Sequence, residues 1–360
     1  MHTNDFGIRR AIIVAACLLL GACATTGVPY STDIAPEIHA GLQDKRARFR
    51  ETFCAVLKAH GRALPDYRPC EEALARVGDE PVEASRPVDL GLSKRHLIAA
   101  LVPGIGYECF AKWLEAPGTS AEHVRRYGYD LALLKVDALS GIETNARQIR
   151  DAIMAMPFDT TAPPRLVLIG YSKGAPDILE AIVAYPEIRS RVAAVVSAAG
   201  SIRGSALADD AEQYQADMLQ HFPGAACGPG DGGGVESLRP ATRKAWLAQH
   251  PLPREVHYYS LATFPQPERI SSILKSSYRK LARIDARNDS QVIFYDQLVP
   301  GSTLVGYLNA DHWAVAVPIS RSHPMIGTMF VTQNAYPREA LLEALLRFLE
   351  EDLTTPAGGR

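Results

Sequence analysis

The stretch Arg165-Leu166-Val167-Leu168-Ile169-Gly170-Tyr171-Ser172-Lys173-Gly174-Ala175, continuing as PDILEAIVAY to residue 185, decides how this chain is read. RLVLI is a short apolar run of the kind that forms a strand buried on both faces. After it, Ala175, Ile178, Leu179, Ala181 and Ile182 recur at helical spacing. Between the two runs, glycines bracket Ser172. A strand, a sharp turn and a helix with serine at the apex need those glycines, because the backbones cross closely there and push the hydroxyl out above the sheet. The N-terminus of the following helix favours negative charge developing near that point. Gly-x-Ser-x-Gly alone is a weak signal; its setting between strand and helix makes Ser172 a candidate nucleophile.

Working outward, apolar and amphipathic runs alternate, the pattern of an α/β protein with a mostly parallel central sheet and helices on both faces. The sequence predicts strands at His96–Val102, Tyr129–Val136, Arg165–Ile169, Val192–Ser197, Val256–Leu261 and Thr303–Leu308. Helices are expected at Tyr107–Leu114, Asn145–Met156, Ala175–Tyr185 and Arg338–Leu353. This places one α/β domain over residues 95–353. Residues 206–250 interrupt the alternation and contain GPGDGGG (228–234), so they read as an insertion of the kind that serves as a lid or cap. Residues 35–80 form a separate N-terminal helical segment, with Phe49, Phe53, Val56 and Leu57 on one face. No internal repeat is visible.

A serine hydroxyl needs a histidine to take its proton and an acid to orient that histidine. With the nucleophile first, the chain order is serine, acid, histidine. His221 lies in the insertion, His250 ends a helix, His257 sits inside a strand and His323 is in a late loop. His312, in NADHW just after the last strand, is the candidate base. The acid belongs between the last two strands, where Asp285, Asp289 and Asp296 lie. Asp289 is preferred because NDSQV (288–292) is a turn-forming segment following the helical run Ser271–Ile284. Asp296 is the second candidate. Asp311 adjoins His312, but neighbours on a loop usually point apart.

Acyl chemistry also needs two backbone N–H donors for the developing oxyanion. Lys173, directly after the serine, supplies one; Ile105 in VPGIGY (102–107) is expected to supply the other, its flanking glycines allowing close approach.

Together these segments resemble the α/β-hydrolase lipases and esterases over roughly residues 95–350. VPGIGY looks like the oxyanion loop, with Pro103 where many members carry histidine, and GYSKG looks like the nucleophile elbow. AGSIRGS (199–205) with ALAD (206–209) is similar to a segment of triacylglycerol lipases. NDSQV and ADHW look like the acid loop and base, although NDSQV departs from the commoner Asn-Asp-Gly form. The resemblance implies an α/β-hydrolase fold and a serine hydrolase that cleaves small-molecule or lipid esters without a cofactor. Acyl transfer to another acceptor, or thioester cleavage, is the neighbouring possibility. From another class, the rival is a non-catalytic envelope protein that binds lipid or a partner on the same fold.

At the N-terminus, Arg9 and Arg10 precede the apolar run AIIVAACLLL (11–20), too short for a bilayer span of about 20 residues. LGAC (20–23) resembles a bacterial lipoprotein signal, which implies removal of residues 1–22, acylation of Cys23 and a tether over residues 23–34. Membrane attachment through that lipid, in the cell envelope and most readily the outer membrane, is the expectation. Four further cysteines, Cys54, Cys70, Cys109 and Cys227, would then meet an oxidising compartment. Of the three connectivities, Cys54–Cys70 is favoured, since a helix, a turn and a second helix start separate them, and Cys109–Cys227 follows by elimination. Free buried thiols are the alternative.

Other classes find no support. Thirty-eight basic residues balance 40 acidic ones without a basic stripe, so nucleic-acid binding is not indicated. There is no HExxH or clustered His/Cys spacing to announce a metal. Two Ser-x-x-Lys matches, Ser272–Lys275 and Ser277–Lys280, lack the Ser-Asp-Asn and Lys-Thr-Gly partners of penicillin-binding enzymes and read as faces of a solvated helix.

Overall fold

The computed structural model describes residues 41–81, 86–109, 119–137, 139–210 and 228–354. Seven parallel strands form one sheet: β1 Gln43–Asp44, β2 Ile98–Val102, β3 Asp130–Leu133, β4 Leu166–Tyr171, β5 Val192–Ala198, β6 Tyr258–Thr263 and β7 Thr303–Leu308. Their order is β1-β7-β6-β5-β4-β2-β3. Six of them fall within or beside the expected runs. The seventh, β1, was not anticipated: two residues against Thr303 and Leu304 carry no periodic signal of their own. The principal helices are α1 Arg46–Ala59, α2 Cys70–Ala73, α3 Thr119–Arg125, α4 Ile142–Ala155, α5 Gly174–Ala184, α6 Pro240–Gln249, α7 Lys275–Leu281 and α8 Arg338–Thr354. The expected helix at Tyr107–Leu114 begins at Tyr107, and its remainder from residue 110 lies outside the described residues.

Successive residues of a strand face opposite sides, and the two sides of this sheet are covered by different helices. Val167 and Ile169 of β4 join the core formed with α1, α3 and α8, whereas Leu166 and Leu168 join the core formed with α4 and α5. This is why β4 reads as an unbroken apolar run rather than an alternating one. The crossover from β2 to β3 thus carries α3 on one face, and that from β4 to β5 carries α5 on the other. Where neighbouring strands send their connections to opposite faces, a crevice opens at the strand carboxyl ends. Ser172 stands at that crevice, after β4.

The N-terminal helical segment is an integral part of this core. Phe49, Phe53, Val56 and Leu57 are all buried on α1, and Phe49 packs edge-on to Phe348 of α8 at 5.8 Å. Beside that contact Arg48 donates to Glu351. Cys54 and Cys70 form a disulfide that ties α1 to α2, the pairing the sequence favours. Cys109 is also disulfide-bonded; Cys227, its expected partner, lies outside the described residues, as do Cys23, the signal and the tether.

Of the expected insertion at 206–250, residues 211–227 lie outside the described residues. The following glycine loop is pinned to the start of α4. Asp231 accepts hydrogen bonds from the Gly141 and Gly233 amides at 2.7 and 2.8 Å and from the Thr144 hydroxyl at 2.6 Å. Partial desolvation opposes ionisation of Asp231, but these bonds outweigh it and hold the carboxyl below its ordinary range.

Candidate active site

Ser172 adopts φ +53°, a left-handed conformation that a residue with a side chain takes only when its surroundings enforce it. Here packing enforces it. A Cβ on Gly170 would overlap the backbone of Ala175, and one on Gly174 would overlap the carbonyl oxygens of Val102 and Pro103. The turn is stitched to its neighbours by Ser172 N–H donating to Ala198 O (3.3 Å) and by the amides of Ala175 and Ser201 donating to Ser172 O. The loop after β2 passes so close that a Cβ on Gly104 would lie 2.8 Å from Ser172 Cβ and 3.3 Å from its Oγ. The segment containing Ile105 is therefore beside the serine, where the sequence expects it.

Asp289 and His312 are brought together: His312 Nδ1 lies 2.7 Å from Asp289 Oδ2, and His312 N–H donates to the Asp289 carbonyl at 3.0 Å. Both are buried. The Asp289 carboxylate is fully enclosed, and its desolvation is offset by donors on every side. Its Oδ1 accepts the amides of Gln291 (2.9 Å) and Val292 (2.7 Å). Its Oδ2 accepts the Thr263 hydroxyl (2.5 Å) and the Gln297 amide (3.3 Å) in addition to His312. The loop making this nest turns at Ser290, whose φ of +83° is one that glycine adopts without strain. NDSQV thus carries serine, at a backbone conformation suited to glycine, where the Asn-Asp-Gly form carries glycine.

The other acids have different work. Asp311 is buried and accepts the amides of Ser271 and Ala314, fixing the loop that carries His312. Burial raises its pKa. Asp285 pairs with Arg287. Asp296 is half-buried without such a nest, and desolvation pushes its pKa up to about 6.

Three contributors escaped the sequence reading. Tyr171 donates its hydroxyl to the His312 carbonyl at 2.7 Å and packs its ring 5.0 Å from the imidazole, so the residue before Ser172 directly supports His312. Thr263 and Gln297 complete the Asp289 nest. Thr263 lies beyond the expected end of its strand, and no motif marks Gln297 or the variable position Tyr171. The Lys173 side chain is buried and its ammonium pairs with Asp177 at 2.7 Å, with Asn145 donating to the second carboxylate oxygen at 2.8 Å. That pair locks the first turn of α5; the Lys173 N–H is the group considered for the oxyanion.

A parallel sheet covered on both faces, with a strained serine turn at its carboxyl edge and a buried Asp–His pair, defines an α/β-hydrolase. No family model and no curated protein matches the chain. Solved structures do. The metagenomic carboxyl esterase MGS0156 is 39% identical, with 94% of this chain and 99% of that one covered at a TM-score of 0.81. The mature Bacillus licheniformis lipase BlEst2 is 21% identical over 68% of this chain and 95% of its own, TM-score 0.50. The Staphylococcus hyicus lipase is 12% identical over 75% of this chain and 100% of its own, also at 0.50. The two lipases show the fold; the first similarity shows the family. The chain belongs to the carboxyl esterases of the α/β-hydrolase fold and is an ester-bond hydrolase, which sets aside the non-catalytic reading.

The contrast between Asp289 and Asp296 has a measurable consequence. The folded pKa of Asp296 exceeds its ordinary 3.8, so the folded state holds that proton longer, and stability is lost as pH rises from about 4 to about 6. Asp296→Asn removes this loss. Relative to the unsubstituted protein, urea unfolding of the variant will show a stability gain of roughly 2 kcal/mol on going from pH 4 to pH 7. An equal pH dependence in both proteins would contradict the assignment.

Proposed function

We propose that Ser172, His312 and Asp289 act as a catalytic triad that hydrolyses carboxylic esters through an acyl-enzyme. The observation that carries this reading is the position of His312: Tyr171, next to the serine, holds it on one side, and Asp289 engages Nδ1 on the other. With Nδ1–H donating its hydrogen bond to Asp289, the lone pair is on Nε2, the nitrogen that takes a serine proton.

In the first step His312 Nε2 accepts the Ser172 proton as Oγ attacks the ester carbonyl carbon. The N–H groups of Ile105 and Lys173 stabilise the oxyanion, supported by the approach of Gly104 to Ser172. Collapse breaks the bond to the alkoxy oxygen, which leaves as the alcohol carrying the proton from His312. Water then attacks the acyl-enzyme with His312 again as base, releasing the carboxylic acid and restoring Ser172. Asp289 keeps the imidazole oriented and stabilises its cationic form. These residues need no cofactor for this sequence.

Hydrolysis of p-nitrophenyl esters of graded acyl length by the full-length chain tests this. Ser172→Ala will fall to background, and Asp289→Asn will lose on the order of 10³–10⁴ in kcat while retaining the fold. Near-normal turnover by either variant would refute the triad, and the optimum acyl length will define the substrate class.

We further infer export and lipid attachment through Cys23, a reading supported by the signal-like segment before it and by disulfide bonding at Cys54, Cys70 and Cys109. In a bacterial host fed labelled palmitate, the chain will take up label in the membrane fraction and Cys23→Ser will not. Equal labelling of both, or of neither, would exclude it.

A further inference from the structure

Away from Ser172, three side chains from distant parts of the chain converge on one point. Glu343 of α8 is completely buried, and its Oε2 lies 2.6 Å from His123 Nε2 and 3.0 Å from His60 Nδ1. His60 follows α1 and His123 belongs to α3; they stand 283 and 220 residues before Glu343. One nitrogen of each imidazole and one carboxylate oxygen all lie within 4.8 Å of one another. Neither histidine takes part in the esterase mechanism.

The surroundings orient these three groups. Arg347 donates its Nε to the other oxygen of Glu343, Oε1, at 2.7 Å, which turns Oε2 towards the imidazoles. Arg347 is held in turn by the carbonyls of Asp89, Leu90 and Gly91. The His60 ring stacks on Tyr127 at 4.7 Å, and Arg347 covers the same ring at 4.9 Å. His123 is buried, whereas the His60 side chain is 22% exposed and marks the side open to solvent. Carboxylate and imidazole ligands whose outer atoms are fixed by further hydrogen bonds are how proteins prepare a metal site.

We infer that His60, His123 and Glu343 bind a divalent cation of borderline softness, zinc above all. Two neutral imidazole nitrogens and one carboxylate oxygen are a ligand set zinc accepts, with water as the fourth ligand. Zinc bonds of about 2.0–2.1 Å in tetrahedral geometry separate neighbouring ligand atoms by roughly 3.3 Å. To reach that spacing the 2.6 Å and 3.0 Å contacts open by about 0.7 and 0.3 Å, and the three ligand atoms already lie within 4.8 Å of one another. Arg347 opposes a second positive charge, but it sits on Oε1 and leaves Oε2 to the metal. The ion would join α1, α3 and α8, cross-linking the N-terminal and C-terminal helices over one face of the sheet. It has no part in acyl transfer.

The test uses the full-length chain, stripped with EDTA, dialysed and titrated with zinc chloride or cobalt chloride alone. One zinc per chain, a tetrahedral cobalt d–d absorption band, and a Tm rise of about 5 °C at a hundredfold excess over Kd are expected. All three will disappear in His60→Ala, a partly exposed position whose substitution leaves the metal-free Tm and the metal-free esterase rate close to those of the parent. His60→Gln serves the same purpose should alanine lower stability. Folded parent protein that binds no zinc at micromolar concentration overturns the inference. So does binding that survives unchanged in both the His60 variant and His60→Ala combined with His123→Ala; the cluster is then a hydrogen-bonded network only.

Discussion

The close crossing of three backbone segments at Ser172 is the constraint on which the rest of the structure depends. The turn between β4 and α5, the loop after β2 and the segment after β5 meet where no additional side-chain atom fits: Gly174 against Val102 and Pro103, Gly104 against Ser172, and Gly200 against Ser197 and Ala175. A left-handed backbone at a serine is unfavourable in isolation by about 1–3 kcal/mol. It persists because the strand before it is buried within the sheet, with side chains in both cores, and the helix after it is buried against one face of that sheet, which fixes the turn between them. The fold stores the strain, and the strain presents the hydroxyl.

A second constraint is the burial of charge. Asp289 is removed from water yet surrounded by two backbone amides, a hydroxyl, a side-chain amide and an imidazole, so its removal from solvent is compensated and its direction is fixed. Asp311 performs the same anchoring for the loop of His312, through Ser271 and Ala314. Two buried carboxylates in one neighbourhood thus have separate tasks, one facing the imidazole and one facing the backbone. Tyr171 connects them to the nucleophile turn: its burial, together with the nearby charges of Asp289 and Asp311, keeps its phenol protonated and able to donate to His312.

Much of this was legible in the sequence because it depends on chain order and on local geometry. RLVLI followed by GYSKG marks a strand, a turn and a helix, and the order serine, acid, histidine selects Asp289 and His312 from several candidates. What stayed hidden depends on contacts between distant residues. The two-residue β1 is held by β7 rather than by any pattern of its own. Thr263 and Gln297 are ordinary polar residues until Asp289 is placed between them. The helical segment at 35–80 looks separable by composition, but Phe49 and Phe53 fill the same core as β7 and α8. The His60–His123–Glu343 cluster has no sequence spacing at all, since three helices assemble it.

The most direct test of the account is to locate covalent modification by a fluorophosphonate, which phosphonylates only a serine activated as a nucleophile. Peptide mass spectrometry of the treated, folded protein is predicted to find the adduct on Ser172 alone, forming far more slowly when Asp289 is replaced by Asn. An adduct on another serine, or an active protein that takes no label, would contradict the proposed chemistry and leave the fold without the nucleophile assigned to it.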